Sequence, residues 1–242
     1  MLWRLPLLLD HNGDSNVTKD TTYFELVEAF YQEGCALCRL SQRAVERYLK
    51  GLLYENVNDV TVQETLKATQ GFCPAHSELL LRQRNSLGTA ILYRAILGHL
   101  SRDLTSEATV NWLERLMQQG AREERRIPTP RAPCPACEQR DDAALRYLKP
   151  LQKLHTDGEL AATFAAGSGF CLPHLRQVTA RLRGEALERL LQYQQEHWGQ
   201  LRAELAEIVR KNDYRFQGEG FGDERDAWLR AVRAVVGEQG VF

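Results

Sequence analysis

The chain reads as all-α: two tandem helical repeats, each closed by a Cys3His metal site, followed by a C-terminal helix. Three observations predict this. Apolar residues recur at spacings of three and four along most of the sequence, and no stretch alternates convincingly at period two. A cysteine pattern is written twice: Cys35-Ala-Leu-Cys38 precedes Gly71-Phe72-Cys73-Pro74-Ala75-His76, and Cys134-Pro-Ala-Cys137 precedes Gly169-Phe170-Cys171-Leu172-Pro173-His174. Finally, Arg47-Tyr48-Leu49-Lys50 returns 99 positions later as Arg146-Tyr147-Leu148-Lys149, the offset that also relates the two CxxC pairs. The GFC triplets are 98 apart, a one-residue slip that suits two copies of one unit.

In order, a polar, turn-rich stretch over 11–21 leads to a helix capped by Thr21 or Thr22 and running to about Glu33, with Phe24, Val27, Phe30 and Tyr31 as its stripe. Gly34 stops it. A helix over 38–50 turns Leu40, Ala44, Val45, Tyr48 and Leu49 inward, and 51–58 connects. Asp59 caps a short helix, Val60–Thr69. Pro74 suits the first turn of the next helix, where its missing N–H costs nothing, and that helix reaches about Asn85. Further helices are expected over Thr89–Asp103 and from Ser106 through Val110, Leu113, Leu116 and Met117. Four prolines and several charges over 120–135 mark the break between halves. The second copy predicts helices over 136–149, Glu159–Ala166, from Leu172, and from Glu185 to about Lys211. In the last, Leu187, Leu190, Gln194, Trp198, Leu201, Leu205 and Ile208 form a seam. A loop over 212–222 and an amphipathic helix, Asp223–Val236, with Trp228, Val232 and Val235, end the chain. The expected division is 1–34, a first repeat over 35–119, a linker over 120–133, a second repeat over 134–211, and a C-terminal part over 212–242.

Composition bounds the function. The chain of 242 residues has 26% charged and 43% apolar residues and a formal net charge of −1, as a soluble globular protein would. That balance argues against bulk binding to nucleic acid or an anionic membrane. No run of 18 apolar residues suggests a membrane span, and the start, Met1 to Asp10, is too short and interrupted for a signal peptide. A cytoplasmic protein is expected. Six cysteines also permit three disulfides, but a fixed histidine partner in both copies and a reducing compartment point to metal.

Zinc takes four ligands at tetrahedral corners, usually thiolates and imidazoles. CxxC supplies two thiolates and CxxH a thiolate and an imidazole. A hairpin between the pairs would bring them together, so each repeat is expected to close its own site. Site one would be Cys35, Cys38, Cys73 and His76; site two would be Cys134, Cys137, Cys171 and His174. Each pair sits at a predicted helix N-terminus, where free N–H groups and the positive dipole end favour thiolate. Gly34, Gly71 and Gly169 allow the backbone turn, and Phe72 and Phe170 can shield an ion. Two zinc ions are the expected cofactors, with an iron–sulfur cluster as the alternative. Four protein ligands leave no open position, so the expected role is structural.

Other residues read more plainly. Arg39, Arg43 and Arg140 can screen a negative metal centre or simply line solvated faces. The RYLK pair reads as packing. His99, His155 and His197 lack partners at ligand spacing, and Arg122, Arg125, Arg126 and Arg131 read as a solvated linker. No dinucleotide fingerprint, P-loop, HExxH or GxSxG occurs, and no acid/base constellation suggests a reaction.

The paired units, the helices between them and the stretch Lys211-Asn-Asp213-Tyr-Arg-Phe216 resemble an uncharacterised bacterial family of about this length. The matching positions are Cys35, Cys38, Cys73, His76, Cys134, Cys137, Cys171, His174 and Asp213-Tyr-Arg. The likeness covers most of the chain and implies a layout, without an activity. The functional expectation is a zinc-stabilised binding or adaptor module, with another protein or a second copy meeting the 185–211 helix. The alternatives are an iron–sulfur electron carrier and a thiol–zinc redox sensor.

Overall fold

The computed structural model describes residues 19–117, 129–216, 218–238 and 241, and, over 105–117, the backbone. The apolar start, most of the 11–21 loop, Arg122, Arg125 and Arg126, and the inward placement of Val110, Leu113, Leu116 and Met117 lie outside what it describes. Among the described residues every regular element is helical. None of these helices is long and apolar enough to cross a membrane.

Aspartate caps start three of the helices. α1 (Thr21–Phe30) is capped by Asp20, whose carboxylate accepts the Tyr23 N–H at 3.0 Å, and not by the expected Thr21 or Thr22. α3 (Val60–Ala68) and α8 (Gly158–Ala166) start in the same way on Asp59 and Asp157. The α1 stripe is also rotated from expectation. Tyr23, Leu26, Val27 and Phe30 are buried, whereas Phe24 and Tyr31 are exposed. Both faces have helical spacing; tertiary partners chose between them. The Tyr23 hydroxyl donates to Asp157, and the Phe30 ring stands edge-on to Phe164.

α2 (Ala36–Glu55) runs on through the first five residues of the expected 51–58 connector, while its counterpart α6 (Pro135–Arg146) stops short of the expected residue 149. One residue explains the difference. Pro150 lacks an N–H, and its ring would clash with the carbonyl of Arg146, so the chain breaks at Tyr147 and restarts as α7 (Leu148–Leu151). Gly51 stands at the equivalent place in α2, and the helix passes through it. α4 (Pro74–Arg82) begins on its proline, and α9 (Leu172–Thr179) starts at Leu172 as expected, with Pro173 second. The two helices expected over 89–117 are one, α5 (Ser86–Met117): neither glycine nor proline interrupts the stretch from Ser101 to Met117, so nothing stops propagation. α10 (Gly184–Lys211) is followed by a 3-10 turn, Asp223–Asp226, and α11 (Ala227–Val236).

Apolar side chains gather in two clusters strung along α2, which spans about 30 Å. The first joins α1 and the start of α2 to Tyr147, Leu151, Leu154, α8, α9 and the start of α10. The second joins the end of α2, through Val45, Leu49, Leu52 and Leu53, to α3, α4, α5 and Ala136. α6 lies along α2 in the most extensive helix–helix contact. Each cluster therefore draws on both halves of the sequence.

The loop after α10 is a self-bonded corner. Asp213 accepts three hydrogen bonds from Arg215, and Arg210 and Arg215 lie over the Phe216 ring at 4.6 and 5.5 Å. Lys211 reaches Glu224 at 2.7 Å, and Arg230 of α11 reaches Glu204 of α10 at 2.7 Å. These contacts lay the last helix against α10.

Phe164 is fully buried, with the rings of Phe30, Phe170 and Tyr193 centred 5.0, 5.2 and 5.8 Å away. Phe164→Ala should cost about 3–5 kcal/mol in urea unfolding, as a cavity opens in the first cluster. A loss below about 1 kcal/mol would mean that the site collapses and the ring cluster is not a main support.

Candidate metal centre

All four ligand pairs occupy the same two positions of a helix. Cys35, Cys73, Cys134 and Cys171 are the N-cap residues of α2, α4, α6 and α9, with extended backbone and no side-chain capping bond. Cys38, His76, Cys137 and His174 follow three residues later, in the first turn. N-cap and third helical position lie over one helix end, so each pair aims both ligand atoms along the axis, past unpaired N–H groups. Gly34, Gly71 and Gly169 have φ of +85°, +94° and +69°, the left-handed turn that sends the chain into each of three of these starts. At Gly169 space is also short: a Cβ would stand 2.9 Å from Gln194 Oε1.

The helix ends meet in pairs, and not as expected. Cys35 and Cys38 of α2 face Cys171 and His174 of α9; Cys73 and His76 of α4 face Cys134 and Cys137 of α6. The expectation of one closed site within each repeat is thereby overturned. Neither half of the sequence holds a complete group of four. The CxxC of each half meets the CxxH of the other because α2 and α6 lie side by side, and that packing carries each CxxC away from its own CxxH.

Within each group the four ligand atoms lie within 4.8 Å of one another. In the first, Cys38 Sγ is 3.5 Å from Cys171 Sγ, and His174 Nδ1 stands 3.3 Å from Cys38, 3.3 Å from Cys171 and 3.6 Å from Cys35. In the second, Cys73 Sγ is 3.8 Å from Cys137 Sγ, and His76 Nδ1 stands 3.2, 3.4 and 3.6 Å from Cys73, Cys137 and Cys134. Both imidazoles thus turn Nδ1 to the sulfurs.

Electrostatics marks these as incomplete sets on their own. Two thiolates 3.5 Å apart repel by about 5 kcal/mol at an effective dielectric near 20. Accordingly, Cys38 is pushed far up by its hydrogen bonds with Cys171 and Cys35. Cys171 is pushed up to about 12, first by its hydrogen bond with Cys35. Cys137 is pushed up to about 12, chiefly by burial and then by the charges of Cys134 and Cys73. One thiol of each group goes the other way. Burial raises Cys35 and Cys134, but hydrogen bonds, from Cys171 and Cys38 to Cys35 and from His76 to Cys134, outweigh it and lower both. A cation at the centre, with two positive helix ends pointing at it, would let all three sulfurs ionise together.

The surroundings differ. Cys35, Cys38, Cys171 and His174 are all buried. Gln194, fully buried on α10, accepts the Phe170 N–H at 2.8 Å and donates to the Phe170 carbonyl at 3.1 Å, clamping the backbone just before Cys171. Glu238 donates its backbone N–H to Cys38 Sγ at 3.5 Å, and Val241 is buried in the first cluster. In the second group His76 is buried, while Cys73, Cys134 and Cys137 are half-buried and Pro74 and Arg131–Pro133 are exposed. Phe170 joins the ring cluster, whereas Phe72 is half-buried against the second.

Of the three arginines considered as screens, Arg39 instead donates to the Ala29 and Glu33 carbonyls at the end of α1, and Arg43 faces Glu28. Burial lowers the Arg140 pKa, but its hydrogen bond to Asp141 and that carboxylate's charge raise it on balance, with the charges of Cys137 and Cys73 adding to them; it also donates to the Val241 carbonyl. His99, His155 and His197 join neither group. They face Asp103, Glu185 and the Phe164 carbonyl. Sequence reasoning placed Gln194 in the helix seam but missed its clamp; a glutamine among leucines at core spacing was the available signal. The C-terminal N–H on Cys38 left none.

Crossed pairing separates two double variants. Cys38→Ser with Cys73→Ser strikes both groups, whereas Cys73→Ser with Cys134→Ser strikes one. Elemental analysis should find no bound metal in the first and one ion per chain in the second. Pairing within each half would give the reverse.

The comparisons fit this layout. A curated relative, the uncharacterized 23.9 kDa protein in xynA 3'region of Caldicellulosiruptor sp. (strain Rt8B.4), is 26% identical over 217 residues, which is 88% of this chain and 100% of that protein. No solved structure matches the chain. Residues 19–240 match DUF6062, described as a family of unknown function, and span both Cys3His groups. The chain belongs to that family.

Proposed function

We propose that the two groups are closed zinc centres that staple the halves of the chain together, and that the protein is a binding or adaptor module built on that frame. The crossed geometry of the eight ligands is the observation that carries the reading. A tetrahedral ion with sulfur at about 2.3 Å and nitrogen at about 2.05 Å sets two sulfurs about 3.8 Å apart and sulfur and nitrogen about 3.5 Å apart. Sulfurs at 3.5 and 3.8 Å and S···N distances of 3.2–3.6 Å suit one such ion in each group. An iron–sulfur cluster would put its own iron and sulfide between the cysteine sulfurs and hold them further apart, so these distances favour a single ion over the electron-carrier alternative. Three thiolates and an imidazole are the donor set of structural zinc, and four protein ligands leave no position for a substrate.

An interaction surface is supported by what the last helices leave uncovered. Trp228, Val232, Val235 and Val236 of α11 are each more than half exposed, and Trp198 of α10 is 38% exposed. A second copy of the chain is the occupant we propose, since a net charge of −1 sets little repulsion between copies.

Two measurements test these readings. Purified protein should carry two zinc ions per chain and show no visible absorption; a brown protein with iron and sulfide would sink the zinc reading. Sedimentation at micromolar concentrations should find a dimer that Trp228→Glu with Val232→Glu returns to monomer. A monomer at every concentration would withdraw self-association.

A further inference from the structure

The two centres are built from the same donors yet meet water differently, and this assigns them different fates under oxidation. We infer that the Cys73/His76/Cys134/Cys137 centre is an oxidation-sensitive site that gives up its ion to hydroperoxides, while the Cys35/Cys38/Cys171/His174 centre stays closed. The inference rests on the zinc reading above and adds a site of thiol modification to it.

Access is the first reason. A hydroperoxide must reach sulfur in line with its O–O bond, and reactivity follows thiolate character and exposure. Every ligand of the first centre is buried, and Cys38 and His174 have no exposed surface. In the second centre all three sulfur-bearing residues are half-buried, with exposed chain on both sides at Pro74 and Pro133. Support is the second reason. The buried Gln194 amide holds both backbone groups of Phe170 beside Cys171, and the Glu238 N–H meets Cys38. Beside the second centre, Gly71 has Tyr93 and Ile96 for neighbours, and a Cβ there would meet them at ordinary contact distance. The Gly71 N–H donates to Leu66 and its carbonyl accepts from Thr69, both within one local turn, whereas Phe170 is held from across the fold by Gln194 of α10.

The thiolate of Cys73 or Cys137 attacks the outer peroxide oxygen, the O–O bond breaks, and the alkoxide or hydroxide leaving group takes a proton. The resulting sulfenic acid loses its hydroxyl as water when the other thiolate attacks its sulfur. Two electrons pass from two thiolates to the peroxide, two protons are consumed, and a Cys73–Cys137 disulfide forms between sulfurs that begin 3.8 Å apart. Cys134 and His76 alone would then offer too few donors to retain the ion. The disulfide keeps α4 tied to α6, so the second cluster loosens at its edge without parting, and a thiol reductant with zinc restores the site.

The test uses the full-length, zinc-loaded protein. Excess hydrogen peroxide is added with a chromogenic zinc chelator, and thiols and disulfides are mapped by peptide mass spectrometry. One of two zinc ions should appear at least about tenfold faster than the other, as differing access to the thiolates requires. The fast phase should coincide with a Cys73–Cys137 disulfide and intact Cys35, Cys38 and Cys171. Reductant and zinc should then reverse it. Release of both ions at one rate, no release, or oxidation first at Cys38 or Cys171 would overturn the inference. Protein that holds no zinc before peroxide is added would instead sink the metal reading itself.

Discussion

Four helix N-termini meeting in two pairs form the constraint on which the remainder of the structure depends. Each brings a cysteine at its N-cap and a second candidate ligand one turn on. Each also leaves unpaired N–H groups and a partial positive charge that favour anionic sulfur. Once α2 faces α9 and α4 faces α6, the neighbours of every other element follow. α1 must fold back on α2 and α8, α5 must cover α3, and α10 must run past the GFC segment that its Gln194 grips. The two apolar clusters occupy the space left between these fixed points.

The groups are nested in sequence, one joining 35–38 to 171–174 and the other, 73–76 with 134–137, lying inside it. Closing loops of 133 and 58 residues costs more entropy than closing the loops of about 35 that pairing within each half would need. The excess is only about 1 kcal/mol for the longer loop and about half that for the shorter. Burial of even one leucine is worth about 2 kcal/mol, so side-by-side packing of α2 and α6 readily outweighs local closure. In return, each pair of ligands ties one half of the chain to the other.

Equal donor sets do not make equal centres. The first lies inside a cluster rich in aromatic rings, under a buried amide clamp and the returning C-terminus. The second lies at the margin of an aliphatic cluster, with proline-bearing segments open to water. Three thiols crowded together resist ionising without a cation in both places, but exposure decides which of them meets reagents from outside. On the proposals above, the duplicated pattern serves two tasks, one of holding and one of responding.

The sequence by itself determined the helical class, the eight Cys and His residues, their place at helix starts, and most boundaries. These are local properties: an aspartate that caps, a proline that cannot continue a helix, a cysteine three residues before its fellow ligand. Even the break at Tyr147 was written in Pro150. Which face of α1 turned inward, that α5 ran unbroken, and above all which CxxC met which CxxH were decided by tertiary structure. Both faces of α1 carry helical spacing, and both ligand pairings satisfy the same donor chemistry. Local pattern cannot rank alternatives that differ only in what lies across the interface, and here the contact of α2 with α6 made the choice.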